Sequence, residues 1–267
     1  MEKNAQLSTL MIGGLLLLCA SPCVAIADWY FLATTTSPQS PASVNRPAQL
    51  VTAISRNRMK YATNVWTLIV HLDSQRIVLI NHLRKRYWEG PVDDYFSTLA
   101  QQLQDGQQKA EKMLQVMPLE QSQRLRAFNH ADPFDPLMPT LSITVLRSSE
   151  QATMRGYQTQ KHVVRRNNDP YEETWLATDI HVTTDIDEPK RKAFMDKLQQ
   201  TRTTPPGAVL TELTEAIATG YPVKTVNMVS QVIKEVIEVQ QRALQDEEFA
   251  APGGYAVSAL SETMSLR

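Results

Sequence analysis

Apolar and polar positions along the chain follow two different periods. Within Trp66–His82, "WTLIVHL" and "RIVLINH" are rich in β-branched residues and flank Asp73-Ser74-Gln75, a spacing that predicts a hairpin with a short loop. Both runs are apolar at nearly every position. That pattern suits strands covered by a helix on one side and facing a cavity or another layer on the other. "KRYWEG" reads as a continuation of the second strand, stopped at Gly90-Pro91. From Val92 to Met117 the period becomes helical: Phe96, Leu99 and Leu103, then Ala110, Met113, Leu114 and Met117, with Gly106 expected to break or bend the helix. "PLEQSQRLRAF" reads as a second short helix, and the proline-rich 129–139 as a loop.

Three strands are expected next, over Leu141–Arg147, Gly156–Arg166 and Tyr171–Val182. The last two join across Asn167-Asn168-Asp169-Pro170, whose residue types favour a turn. Helices are expected over Pro189–Thr201 and Ala208–Thr219, separated by Pro205-Pro206-Gly207. Val223–Leu244 fits a helix face in part, but its β-branched content favours one long strand. In "DEEFAAPGGYAVS", Asp246–Ser258, four residues make a turn motif: Phe249, Pro252, Gly254 and Tyr255. Phe249 is expected to anchor the turn and Pro252 to hold Ala251 extended. A glycine then supplies a positive φ, so that Tyr255 opens a closing edge strand.

Residues 1–27 read as an export signal: Lys3, an apolar stretch containing Leu15–Leu18, then Ala25-Ile26-Ala27 as the small-x-small cleavage pattern. Cleavage after Ala27 would start the mature chain at Asp28 in the periplasm or outside the cell. The alternative is an uncleaved membrane anchor, against which Ser21-Pro22 interrupts the apolar stretch early. Cys19 and Cys23 both lie in this segment, so the mature chain would have no thiol, disulfide or cysteine-held metal. Residues 28–47, rich in Thr, Ser and Pro from Thr34 onward, read as a flexible tether. One domain would then occupy 48–267, with a helical insert near 188–219. A net charge of −1 argues against a nucleic-acid binder. The basic runs Arg84-Lys85-Arg86, Arg165-Arg166 and Lys190-Arg191-Lys192 have acidic residues nearby and read as solvated faces.

No stretch names a reaction. A hairpin places His71 and His82 roughly 13–17 Å apart at about 3.4 Å per residue, so the two cannot share an ion, and no H-x-x-x-H spacing occurs. Asp185-x-Asp187-Glu188 reads as a helix start rather than a calcium loop. Nucleophile-elbow and phosphate-cradle patterns are absent, and Glu172 and Glu173 on a strand would face opposite ways. No metal, cofactor or catalytic activity is expected; an enzyme would need groups such as His162, Glu173 and Asp179 in one cleft. What remains is an apolar surface. Trp66, Leu68, Val70, Leu79 and Trp175 are the expected lining of a cavity for a lipid or other apolar ligand.

The order of segments resembles a bacterial exported family of unknown function whose members end in F-x-V-P-x-G-Y. Phe249, Pro252, Gly254 and Tyr255 match that ending, with Ala251 in place of the usual Val. "RGYQTQKHVV", "EETWLATDI", "TLIVHLDSQRIVLINHLRKRYWE" and "KMLQVMPLEQSQRLRAF" are similar to its other segments, over roughly residues 50–257. The resemblance implies the half-barrel of periplasmic lipoprotein carriers and brings no agreed activity. The expectation is therefore an exported α+β protein with a curved, half-barrel-like antiparallel sheet packed on helices. It would be non-enzymatic, bind an apolar ligand or a lipidated partner, and touch a membrane only through an uncleaved signal. The alternative is a structural or interaction protein of the envelope with a filled core.

Overall fold

"WYFLATTT" alternates large and small side chains at a two-residue period and ends in three β-branched threonines, so it suits a strand with one buried face. It forms β1 (Trp29–Thr36), in which Trp29, Phe31 and Ala33 are buried. The computed structural model describes residues 28–37, 47–118, 120, 143–166, 168–182, 186–201 and 220–265. The tether expected over 28–47 is thereby corrected at Trp29–Thr36, because threonine is also a good strand former, while 38–46 lie outside the described residues.

The β1 strand pairs on both edges. On one side runs an antiparallel meander: β2 (Ala48–Ser55), β3 (Arg58–Ala62), β4 (Trp66–His71), β5 (Arg76–Asn81) and β6 (Arg86–Pro91). On the other lie β11 (Ile233–Gln241), β10 (Tyr221–Asn227), β9 (Asp169–Ala177), β8 (Tyr157–Arg166) and β7 (Ile143–Met154). A two-residue strand, β12 (Ala256–Val257), adds in parallel to β6 and completes one sheet of order β12-β6-β5-β4-β3-β2-β1-β11-β10-β9-β8-β7. The described helices are α1 (Val92–Val116), α2 (Glu188–Thr201) and the short α3 (Leu260–Met264). The expected α+β class is corrected: the described residues are mostly β, one twelve-stranded sheet with few helices. The apolar runs are covered on one face by α1, α2 and other strands' side chains and on the other by the C-terminal segment, but strands make up most of the fold.

Local chemistry explains the other differences. The Asp73-Ser74-Gln75 hairpin forms as expected, with Leu68 opposite Leu79 and Val70 opposite Ile77. "KRYWEG" is a new strand, not a continuation. The chain reverses after Asn81, whose side-chain oxygen accepts the Arg84 N–H at 3.1 Å. Val223–Leu244 is likewise a hairpin. Asn227 Oδ1 accepts the N–H groups of Val229 and Ser230 and caps the turn between β10 and β11. Strand β7 runs further than expected, β9 stops at Ala177, and α1 passes through Gly106 unbroken. All of "PLEQSQRLRAF" but Pro118 and Glu120, the 129–139 loop, the 208–219 helix and the 1–27 signal lie outside the described residues.

Over the β1–β6 half of the sheet both faces carry a packed layer. On one, Trp29, Phe31, Met59, Val70 and Ile77 meet Val92 and Phe96 of α1 and Phe194 of α2. The start of α2 is tied to two hairpin turns, by Asp187 N–H donating to Asn57 Oδ1 (2.7 Å) and by Lys190 pairing with Asp73 (2.6 Å). On the other face, Ala53, Ile69, Val78 and Ile80 are covered by Leu244 and Phe249 from the C-terminal segment. This strap is pinned along its length. Leu244 N–H donates to the buried Asp28 carboxylate at 2.8 Å, and Arg242 forms a two-point ion pair with Glu248. Residues Asp246–Phe249 form one 3₁₀ turn. The Arg58 guanidinium lies 4.4 Å over the Phe249 ring and 2.6 Å from Asp246. His71 Nε2–H donates to the Phe249 carbonyl, and His82 is hydrogen-bonded to both Thr67 and the Tyr255 hydroxyl. Gly254 has φ +82°, the positive value expected of the turn motif.

Truncating the strap anchor, Phe249→Ala, is expected to cost about 3–5 kcal/mol in urea unfolding, as for other buried aromatics. Gly254→Ala meets no neighbouring atom and is strained only by its φ, so it should cost about 1–2 kcal/mol. Desolvation, and then the nearby cations Arg58 and Arg76 for His71 and Lys60 for His82, hold both imidazoles below their ordinary range. The unfolded chain therefore binds more protons, and stability falls as pH drops below about 6.5 toward the lowered folded values, then levels off. The double variant His71→Gln/His82→Gln should flatten that slope in a pH series of thermal unfolding; an unchanged slope would place its origin elsewhere.

Candidate functional site

Facing pairs across β4 and β5 begin the apolar surface that the sequence singles out. Leu68 opposes Leu79, which in turn opposes Trp88 on β6, and Val70 lies between Met59 and Ile77. Towards the middle of the sheet the surface becomes aromatic. Trp29 and Phe31 stack at 5.8 Å between ring centroids, and Phe31 stacks on Tyr221 at 3.7 Å. Burial pushes the Tyr61 and Tyr221 hydroxyls above the ordinary phenol range, so both stay neutral. Against this filled centre pack half-buried apolar side chains, among them Leu68, Trp88, Tyr95 and Leu99, with Met195 and Leu198 of α2.

Of the five expected lining residues, Leu68 and Val70 join this cluster directly, and Leu79 is buried beside them. Val70 is fully buried in the centre rather than on an opening. Trp175 lies on β9, separated from β4 by β3, β2, β1, β11 and β10 in sheet order, and packs against the same cluster from the opposite wing. Trp66 opens β4 at the end of the sheet and is 39 % exposed. The turn-motif residues Phe249, Pro252, Gly254 and Tyr255 belong to the strap on the other face.

Polar groups gather on the β8–β11 wing. Lys161 sits 2.9 Å from Glu173, 3.3 Å from Glu150 and 5.7 Å from the Trp175 ring, and the Glu173 carboxylate first and Glu150 after it push its ammonium above the ordinary lysine range. Glu172 and Lys234 feel each other without touching. Burial raises the carboxyl and lowers the ammonium, and each charge partly offsets the other's shift. Adjacent in sequence, Glu172 and Glu173 serve different partners, as strand alternation requires. His162 pairs in register with Thr174 and Val163 with Glu173, so the His162 and Glu173 side chains leave opposite faces of the sheet, and Asp179 is exposed in the turn beyond β9. The structure does not bring these three together. His71 and His82 are engaged by the strap, His162 by the Gln160 carbonyl, and His130 lies outside the described residues. Among the described residues no group of His, Cys, Asp and Glu could hold a metal ion. Asp187 begins α2, its side chain accepting the Lys190 N–H at 3.3 Å.

Sequence reasoning passed over β1 and Lys234. The signal for β1 was the alternation of Trp29, Phe31 and Ala33. Lys234 carried none, because its setting depends on strands distant in sequence.

Comparison with solved structures finds PNGF-II in two crystal forms. Both are 10 % identical to this chain. They cover 88 % and 87 % of it and 32 % and 30 % of their own chains, at TM-scores of 0.38 and 0.37. The chain thus spans about a third of the length of those proteins, and the likeness is too distant to carry an argument. No curated protein matches. A family model does, over residues 89–255, from β6 through the strap to Tyr255. The chain belongs to the DUF4412 family, a domain of unknown function.

Proposed function

We propose that this is a non-enzymatic protein of the cell envelope that holds an apolar ligand, or the lipid of a modified partner, against the helix-covered face of its sheet. The observation that supports this reading is the half-buried apolar rim. Leu68, Trp88, Tyr95, Leu99, Met195 and Leu198 all pack, half-buried, against a closed aromatic centre. Such side chains gain from further burial, about 25 cal/mol per Å² of apolar surface removed from water, and an acyl chain supplies that burial without asking for directional partners. The neutral Tyr61 and Tyr221 hydroxyls offer the few polar points that orient such a ligand.

Export fits the same reading. Strand β1 starts at Trp29, immediately after the expected cleavage point at Ala27, so processing there leaves the sheet whole. Cleaved, the mature chain folds without cysteine, in keeping with a protein held together by its apolar layers. The histidines and carboxylates near the sheet serve the strap and cross-strand ion pairs, which favours binding over catalysis.

Native mass spectrometry and solvent extraction of the purified protein should find a co-purifying fatty acid or phospholipid. A fluorescent fatty acid should bind, and Leu68→Gln should weaken it about tenfold, the loss of one apolar contact of about 1.4 kcal/mol. A protein that carries nothing and leaves the fluorescent fatty acid free in solution would instead be the structural or interaction protein with a filled core.

A further inference from the structure

At one end of the sheet two tight turns lie side by side. Thr63 Oγ1 accepts the N–H groups of Val65 and Trp66 and sets the β3–β4 turn. Asn81, buried at the end of β5, sets the β5–β6 turn through the Arg84 N–H and reaches the Thr263 and Ser265 carbonyls beyond it. The turns are bridged by the His82 N–H donating to the Val65 carbonyl at 2.9 Å, and β12 closes against the second through Ala256 N–H to the Lys85 carbonyl at 3.0 Å.

This framework holds up a mixed apolar and basic tip. Leu83 is 66 % exposed, Val257 73 % and Trp66 39 %, so three of the eight exposed large hydrophobics among the described residues fall here. Between them Arg84 and Lys85 project into solvent. Arg86 is neutralised by Glu262 at 2.8 Å, but neither Arg84 nor Lys85 has a side-chain hydrogen bond or ion pair among the described residues. A solvated basic turn has no use for an exposed leucine at its apex. A surface that meets anionic lipid uses both, because apolar side chains enter the acyl boundary while cations meet headgroup phosphates, and tryptophan favours that interface.

We propose that this tip, built around Leu83, Arg84 and Lys85, docks the protein on an anionic phospholipid surface. It lies at the strand ends, apart from the apolar rim, so it stands or falls independently of whether the rim carries a ligand. Two unpaired cations supply attraction that salt screens, and Leu83 with Val257 supplies a shallow insertion, so binding is reversible.

Flotation of the full chain with vesicles of pure phosphatidylglycerol or pure phosphatidylcholine tests this, alongside Arg84→Gln/Lys85→Gln, Leu83→Ser and the remote Lys192→Gln. The wild-type chain and Lys192→Gln are expected to float with phosphatidylglycerol and not with phosphatidylcholine, less so as salt rises. The double variant should lose about thirtyfold in partition, Leu83→Ser should also bind more weakly, and both should unfold at the wild-type temperature. Equal binding to both lipids, or wild-type binding by the two tip variants, overturns the proposal and places any membrane contact elsewhere in the chain. Retention on a polyanion such as heparin without vesicle binding would also overturn it, in favour of an acidic polymer or protein.

Discussion

The pairing of β1 on both of its edges is the constraint on which the rest of the structure depends. Its partners come from opposite ends of the chain, β2 directly after it and β11 two hundred residues later. Without it the sheet would be two separate meanders, each with a long open edge, and the face bearing Trp29 and Phe31 would lose its centre. The junction is reinforced where the chain enters it. Buried Asp28 accepts the Leu244 N–H with its side chain and the Arg242 N–H with its backbone carbonyl, so the first described residue holds the start of the C-terminal strap.

That strap answers a problem a wide sheet always creates. A strand such as β5 is buried at Ile77, Val78, Leu79 and Ile80, on both faces at once, and two short helical layers on one side cannot cover it. Phe249 and Leu244 provide the second layer over β3–β6, and cations on the sheet, Arg58 above all, meet the acidic residues of the strap at its rim. The same segment then turns at Gly254 to add β12 at the sheet edge, so one stretch of sequence covers a face and caps an edge. Only two residues pair there, which leaves the neighbouring turns and their side chains free to present a surface.

Much of this was legible in the sequence where one residue type imposed one geometry. The β4–β5 hairpin followed from two β-branched runs around a polar triplet, the positive φ from paired glycines after a proline, and the start of α2 from acidic residues ahead of Pro189. The errors arose where a residue type serves two geometries. Threonine suits both linker and strand, so the composition of this stretch predicts a tether where β1 forms. Asn81 and Asn227 sit inside runs that read as single strands, yet each side chain bonds its own backbone and folds the run into a hairpin. The register of β4 and β5 sets Leu68, Val70 and Leu79 on a common face, but runs that are apolar at nearly every position do not tell the filled centre from the rim.

The sequence by itself determined the local elements, the absence of thiols after residue 27 and the turn at Gly254, because propensity, composition and a single φ are properties of neighbouring residues. Tertiary structure alone decided that one sheet unites all twelve strands and that Val70 is closed in while Leu68 is half open. It alone decided that Glu172 and Lys234 share a desolvated setting and that Leu83, Arg84 and Val257 crowd one end. Each of those depends on pairing between segments far apart in the chain, and register across such distances is settled by burial of the whole face rather than by any residue's own preference.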